Sequence, residues 1–186
     1  PGFDVFALTG DGEIQAGLIW EAVMFSGQKK LDNLCVLVDK NEGQLDNPRS
    51  LAFPMPNVPE WFNAFGWRTW SVDATDYSAV MEALIKFKYG TRDGRPTAII
   101  CNTKKGWGGL SSFCVGHKVE FPSDLAEQEI RLQRERRNFR TADFLSLLRR
   151  MEENGEKELI KKIESAACAM NLDISREKGS VETLRK

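Results

Sequence analysis

Residues 3–41 read FDVFALTGDGEIQAGLIWEAVMFSGQKKLDNLCVLVDKN, and this stretch decides the fold. Residues 3–9 are a short apolar run that breaks at Gly10-Asp11-Gly12, the pattern of a buried strand entering a tight turn. Over 13–28 the residues Ile14, Leu18, Ile19, Ala22, Val23 and Phe25 place apolar groups on most sides of a helix. Such a helix belongs in an interior or an interface. A polar connector at 29–33 leads to a second apolar strand at 34–38. Strand, helix and strand in this order predict a right-handed parallel crossover.

Outward from that unit the alternation continues. Residues 41–59 are rich in Asn, Pro and Gly and read as loop. Trp61, Phe62 and Phe65 suggest a short helix ending at Gly66. A third strand is expected at 67–72, an amphipathic helix at 77–89, and a fourth strand at 97–101 after the turn Arg92-Asp93-Gly94. Strands alternating with helices predict an α/β fold with a doubly wound parallel sheet. A glycine-rich loop at 106–116 closes this part. From 123 onward, mixed charge surrounds apolar stripes at Phe144, Leu147, Leu148 and Met151, then at Leu159, Ile163, Ala167 and Met170. These are amphipathic helices covering the sheet, with a solvated outer face. The expected organisation is an α/β core at 1–122 and a charged helical extension of the same domain at 123–186.

Composition excludes several classes of function. Across 186 residues, 26 Lys and Arg offset 27 Asp and Glu for a net charge of −1, so nothing draws the chain to nucleic acid or an anionic membrane. No apolar stretch approaches the ~20 residues that span a bilayer. A basic segment followed by an apolar one, the mark of a secretory signal, is not seen. Cys35, Cys101, Cys114 and Cys168 form no CxxC pair and read as reduced thiols of a cytoplasmic protein. A single histidine, His117, argues against a His-rich zinc site. The five tryptophans, Trp20, Trp61, Trp67, Trp70 and Trp107, read mainly as core and interface fillers.

The chemistry lies at the strand ends. Asp11 and Asn41 each follow the C-terminal end of an expected parallel strand, and the crossover returns both to one sheet edge, where such folds bind ligands. A carboxylate and an amide carbonyl are hard oxygen ligands suited to Mg²⁺, which shares its roughly six positions with phosphates and water. Gly10 and Gly12 would let a phosphate approach the backbone. The helix starting near Glu13 offers N–H groups and a positive dipole end. Taken singly, each residue also has an ordinary role, Asp11-Gly12 as turn and helix cap and Asn41 as loop. A Rossmann dinucleotide site does not fit, because Gly10, Gly12 and Gly17 lack the GxGxxG spacing. Lys104 and Lys105 could meet phosphate, although lysines at strand ends are commonly solvated.

The segments GDGEIQAGLIWEA at 10–22 and KLDNLCVLVDKNEGQLDN at 30–47 resemble the thiamine-diphosphate signature of transketolases, with its GDG, LDNL and DxNxxQxDG elements. A looser similarity runs to His117 through Thr103, Lys105, Gly106 and Gly108. The resemblance implies that Asp11 and Asn41 bind Mg²⁺ through side chains, Gly43 through its main-chain carbonyl, and that Gly10 and Gly12 lie against the diphosphate. It implies that His117 contacts the diphosphate and the substrate and acts as a catalytic acid or base. The activity implied is transfer of a two-carbon ketol unit between sugar phosphates, with thiamine diphosphate and Mg²⁺ as cofactors.

The resemblance also implies partners. A second chain or domain would hold the aminopyrimidine of the cofactor, in a homodimer or heterotetramer, and further residues would precede the first strand. Three departures stand out. Ala16 replaces a glutamate of the family's dimer interface, whereas Glu21 matches the neighbouring one. Asn47 stands where the family has glycine, a turn position asparagine tolerates. Trp107 replaces a small or basic residue in the glycine loop and could shape the substrate entrance. Related readings are a 2-oxo-acid dehydrogenase E1 component, a 1-deoxyxylulose-5-phosphate synthase, or a non-catalytic subunit that keeps the fold, to which Ala16 points.

Overall fold

The computed structural model describes residues 2–41, 43, 57–109 and 122–169, side chains at 136–142 excepted. Four parallel strands form one sheet: β1 (Val5–Gly10), β2 (Leu34–Lys40), β3 (Arg68–Asp73) and β4 (Thr97–Asn102), in the order β1-β2-β4-β3. The helices are α1 (Gly17–Gln28), α2 (Val58–Ala64), α3 (Tyr77–Tyr89), α4 (Ser123–Glu153) and α5 (Lys157–Ala169). The doubly wound expectation holds. α1 and α2 follow strands that advance across the sheet and lie on one face, whereas α3 follows the strand that turns back and lies on the other. Right-handed crossovers require that change of face.

The period-2 alternation of the strands sorts the core. Val36 and Val38 of β2 with Ala98 and Ile100 of β4 meet Val23, Val58, Phe62 and Trp67 on the α1–α2 face. Cys35 and Leu37 with Ile99 and Cys101 meet Ala83, Leu84 and Phe87 of α3 on the other. β4 is covered on both faces and is almost continuously apolar, as a central parallel strand should be. A third cluster sits outside α3, where Ile85 packs against Leu147, Leu148 and Met151 of α4 and Ile160 and Ile163 of α5. Of the apolar stripes read from the sequence, Phe144, Leu147, Leu148, Met151, Leu159 and Ile163 belong to this outer layer, and Met170 lies outside the described residues.

Local chemistry sets the element ends. The Asp76 carboxylate caps α3 by accepting from the amides of Ser78 and Ala79 at 2.8 and 3.4 Å. α2 begins at Val58, earlier than Trp61, because Pro59 fits the first helical turn, where its missing N–H has no bond to lose. At the N-terminal end of the sheet, Asp4 pairs with Lys88 at 3.0 Å and Arg92 at 2.8 Å, which ties β1 to the end of α3. Among the described residues no helix is long and apolar enough to cross a membrane.

The helix expected at 13–28 differs in detail. Glu13–Gln15 forms a single 3₁₀ turn, Ala16 is extended with ψ 133°, and α1 starts only at Gly17. The break carries the chain from the sheet edge into the helix layer, and it buries Ile14 completely. The apolar circumference predicted for α1 is real and only partly covered. Val23 is buried, while Leu18 and Phe25 stay 74% and 56% exposed.

Candidate functional site at the strand C-termini

The β1–β2 register places Gly10 opposite Asp39, so Asp11 and Asn41 emerge side by side at the same sheet edge. Backbone and side-chain bonds hold them there. The Asp11 amide donates to the Asp39 carbonyl at 3.0 Å. The Asn41 side-chain amide donates to the Asp39 carboxylate at 3.0 Å, and its Oδ1 accepts from the Gly43 amide at 2.9 Å. Among the buried described residues Asp11, at 2% exposure, is the one charged side chain, with Ser26 and Thr97 the uncharged polar ones. Both residues thus follow the C-terminal ends of paired strands at one sheet edge, as the crossover predicts.

Gly43 folds back over this edge. A Cβ there would stand 3.3 Å from both Asn41 Oδ1 and Lys105 Cδ, closer than nine in ten real contacts. The Lys105 stem thus lies against the Asn41–Gly43 turn. Its Nζ is buried and has no hydrogen-bond partner among the described residues. An amine in that state is costly to leave unmatched, so it marks the place where an anion would be welcome. Lys105, which the sequence would leave solvated at a strand end, is the residue sequence reasoning undervalued. The signal lay in the spacing: glycines at 106 and 108, with φ of +77° and +82°, form two successive turns, closed by Trp107 N–H to Lys104 O and Gly109 N–H to Gly106 O.

Other predicted positions have mixed outcomes. Space in front of Gly10 is open, with nothing within 4 Å of an added Cβ. Its amide donates to the Glu13 carboxylate at 3.1 Å. Gly12 is exposed at the start of the 3₁₀ turn. His117, Gln44, Asn47 and Cys114 lie outside the described residues. Trp107 is 58% exposed between the two glycines, whereas Trp20, Trp61 and Trp67 pack with Phe62 in one aromatic cluster.

Next to this edge a polar network spans the sheet. Lys40 Nζ donates to Asn102 Oδ1 at 3.0 Å, and Asn102 Nδ2 donates to Ser71 Oγ and the Val72 carbonyl. Asp73 sits beyond it, its carboxyl held below the usual range chiefly by the Thr75 hydroxyl and amide. The strand C-termini therefore carry most of the polar chemistry. Their N-termini carry structural ion pairs such as Arg68–Asp93 at 2.7 Å. Among the described residues no three His, Cys, Asp or Glu side chains cluster. A cation here would need the amide oxygen of Asn41 and a main-chain carbonyl beside Asp11, and such neutral oxygens suit Mg²⁺ when a phosphate supplies further charge.

Comparison with known proteins identifies relatives of this chain. The family model described as transketolase, thiamine diphosphate binding domain, matches residues 3–167. A 6-deoxy-6-sulfo-D-fructose transketolase subunit, SqwG, of Clostridium sp. (strain MSTE9) is 33% identical over 124 residues, 67% of this chain and 44% of that protein. Mouse transketolase is 35% identical over 130 residues, 69% of this chain and 20% of its own length. The crystal structure of Campylobacter jejuni transketolase superposes with a TM-score of 0.53 at 31% identity, covering 58% of this chain and 16% of that one. The chain therefore spans less than half the length of these relatives.

Proposed function

Because the chain belongs to the transketolase family, as its thiamine diphosphate binding domain, we propose that it holds that cofactor by its diphosphate, through Mg²⁺, in an enzyme transferring a two-carbon ketol unit between sugar phosphates. The observation that carries the reading is the sheet edge where Asp11 and Asn41 follow the ends of paired strands and the Lys105 stem, its amine unpartnered, lies against the Asn41–Gly43 turn. Asp11, Asn41 and the Gly43 carbonyl would hold the metal. Gly12 and Lys105 would meet the diphosphate, and Gly10 would leave room for it. When bound, the cofactor supplies an electron sink for cleaving the ketose carbon–carbon bond. The protein's part is to bind, orient and neutralise charge. His117 would move a proton at the substrate oxygens, an assignment resting on its position in the family motif.

The reading includes an assembly. β1 is an edge strand whose Phe6 and Leu8 are 48% and 72% exposed, and α1 shows Leu18, Met24 and Phe25. Apolar groups on a strand edge and a neighbouring helix are features that proteins cover. A second chain or domain, carrying the pyrimidine-binding half, would cover part of this surface in a homodimer or heterotetramer. The relative described as a transketolase subunit favours a divided enzyme. We assign residues 1–122 to the cofactor-binding core and 123–186 to a helical extension of it, in a cytoplasmic enzyme whose buried Cys35 and Cys101 stay reduced.

Calorimetric titration of the assembled protein with thiamine diphosphate, with and without Mg²⁺, tests the site. Metal-dependent binding and ketol transfer between sugar phosphates are expected. Metal-independent binding would remove Asp11 and Asn41 from the metal, and binding without transfer would favour a non-catalytic subunit.

A further inference from the structure

α4 is 31 residues long, and among the described residues its C-terminal half packs into the outer core through Leu147, Leu148 and Met151. Its N-terminal half is a polar arm, and that arm reaches the glycine loop. Gln133 Nε2 donates to the Gly108 carbonyl at 3.1 Å and to Glu129 Oε1, one turn earlier on the helix, at 2.7 Å. An amide NH₂ has two hydrogens, and this geometry uses both. The opposite amide orientation would set Oε1 against two acceptors, so the network settles which way the side chain faces.

We propose that Gln133 is a positioning residue: it tethers the 104–109 loop to α4 and thereby fixes the Lys105 stem against the Asn41–Gly43 turn, and with it the buried amine. The two turns of the loop are closed by backbone hydrogen bonds from Trp107 and from Gly109. Gln133 grips the second turn from outside, and the rigid helix behind it transfers the order of the outer core to the loop. A loop held in its binding geometry loses less conformational freedom when an anion arrives. The consequence for affinity rests on the diphosphate reading above; the tether does not.

The test compares Gln133→Glu with Gln133→Lys in the full chain, in the assembly in which it purifies. Glutamate matches glutamine in shape and helix preference but cannot donate, and it faces a carbonyl and the Glu129 carboxylate. Lysine can donate to both. Amide hydrogen exchange at Trp107 and Gly109 should quicken several-fold in Gln133→Glu and return towards wild type in Gln133→Lys, with the melting temperature unmoved. Inorganic pyrophosphate with Mg²⁺, titrated by tryptophan quenching, should bind about threefold to tenfold more weakly to Gln133→Glu. Equal exchange in all three proteins would overturn the tether. Quicker exchange with unchanged pyrophosphate affinity would overturn its positioning of Lys105. A wild type that ignores pyrophosphate while the exchange difference persists would uphold the tether and refute the diphosphate reading instead.

Discussion

Lys105→Met should stabilise the protein and damage the site at once. The lysine stem packs against Gly43, and methionine can occupy that path without bringing a buried amine. In the ligand-free protein the Nζ lacks a partner, and an unmet buried polar group costs ~1–3 kcal/mol. The side chain is only half-buried, so the gain should fall near the lower end, about 1 kcal/mol. For a chain of this size that is a rise of roughly 2–4 °C in Tm. A hydrogen bond to a charged group contributes ~1.5–3 kcal/mol, so losing it should weaken thiamine diphosphate binding about 10- to 150-fold. Differential scanning calorimetry without ligand and isothermal titration with thiamine diphosphate and Mg²⁺ read the two effects separately. A Tm that falls together with an unchanged affinity would mean that the amine has a structural partner and no anion to meet.

Asp11→Ala and Asn41→Ala should each abolish metal-dependent cofactor binding, because either removes one of the few protein oxygens available to Mg²⁺; calorimetric titration with full affinity retained in both would end the metal assignment. Gly27→Ala should cost about 1–3 kcal/mol in urea unfolding, since a Cβ would overlap the Phe65 backbone carbonyl where α1 meets the C-terminal end of α2; an unchanged midpoint would show that the two elements are not in contact. Burial pushes the Cys35 thiol from its ordinary value near 9.0 up to about 12. The folded chain then keeps a proton that the unfolded chain releases, so this contribution is complete below pH 9 and declines as pH rises towards 12. Cys35→Ala should flatten that alkaline decline, and an identical pH profile would refute it.

The order of secondary structure was legible because it rests on local periodicity. Residues 77–89 gave a helix with the same limits as α3, and the apolar runs gave four strands whose cores begin within a residue or two of expectation. The parallel crossover, and with it the arrival of Asp11 and Asn41 at one sheet edge, followed from handedness and the length of the connection. The GDG and DxN elements pointed to the same sheet edge through the family resemblance they carry.

What only the tertiary structure decided were contacts between segments far apart in the chain. Sequence could not tell a solvated strand-end lysine from a buried one, because the difference for Lys105 lies in Gly43, sixty-two positions earlier along the chain. It could not foresee that Glu13 takes the Gly10 amide, nor the extended Ala16 that splits the expected helix, since both depend on how Ile14 is seated in the core. Nor could it show that the charged face of α4 carries Gln133 to Gly108. Periodicity records which face of an element is apolar. Which remote atoms a polar side chain meets depends on the packed arrangement of all the elements together, and that is where this site acquires its charge and its rigidity.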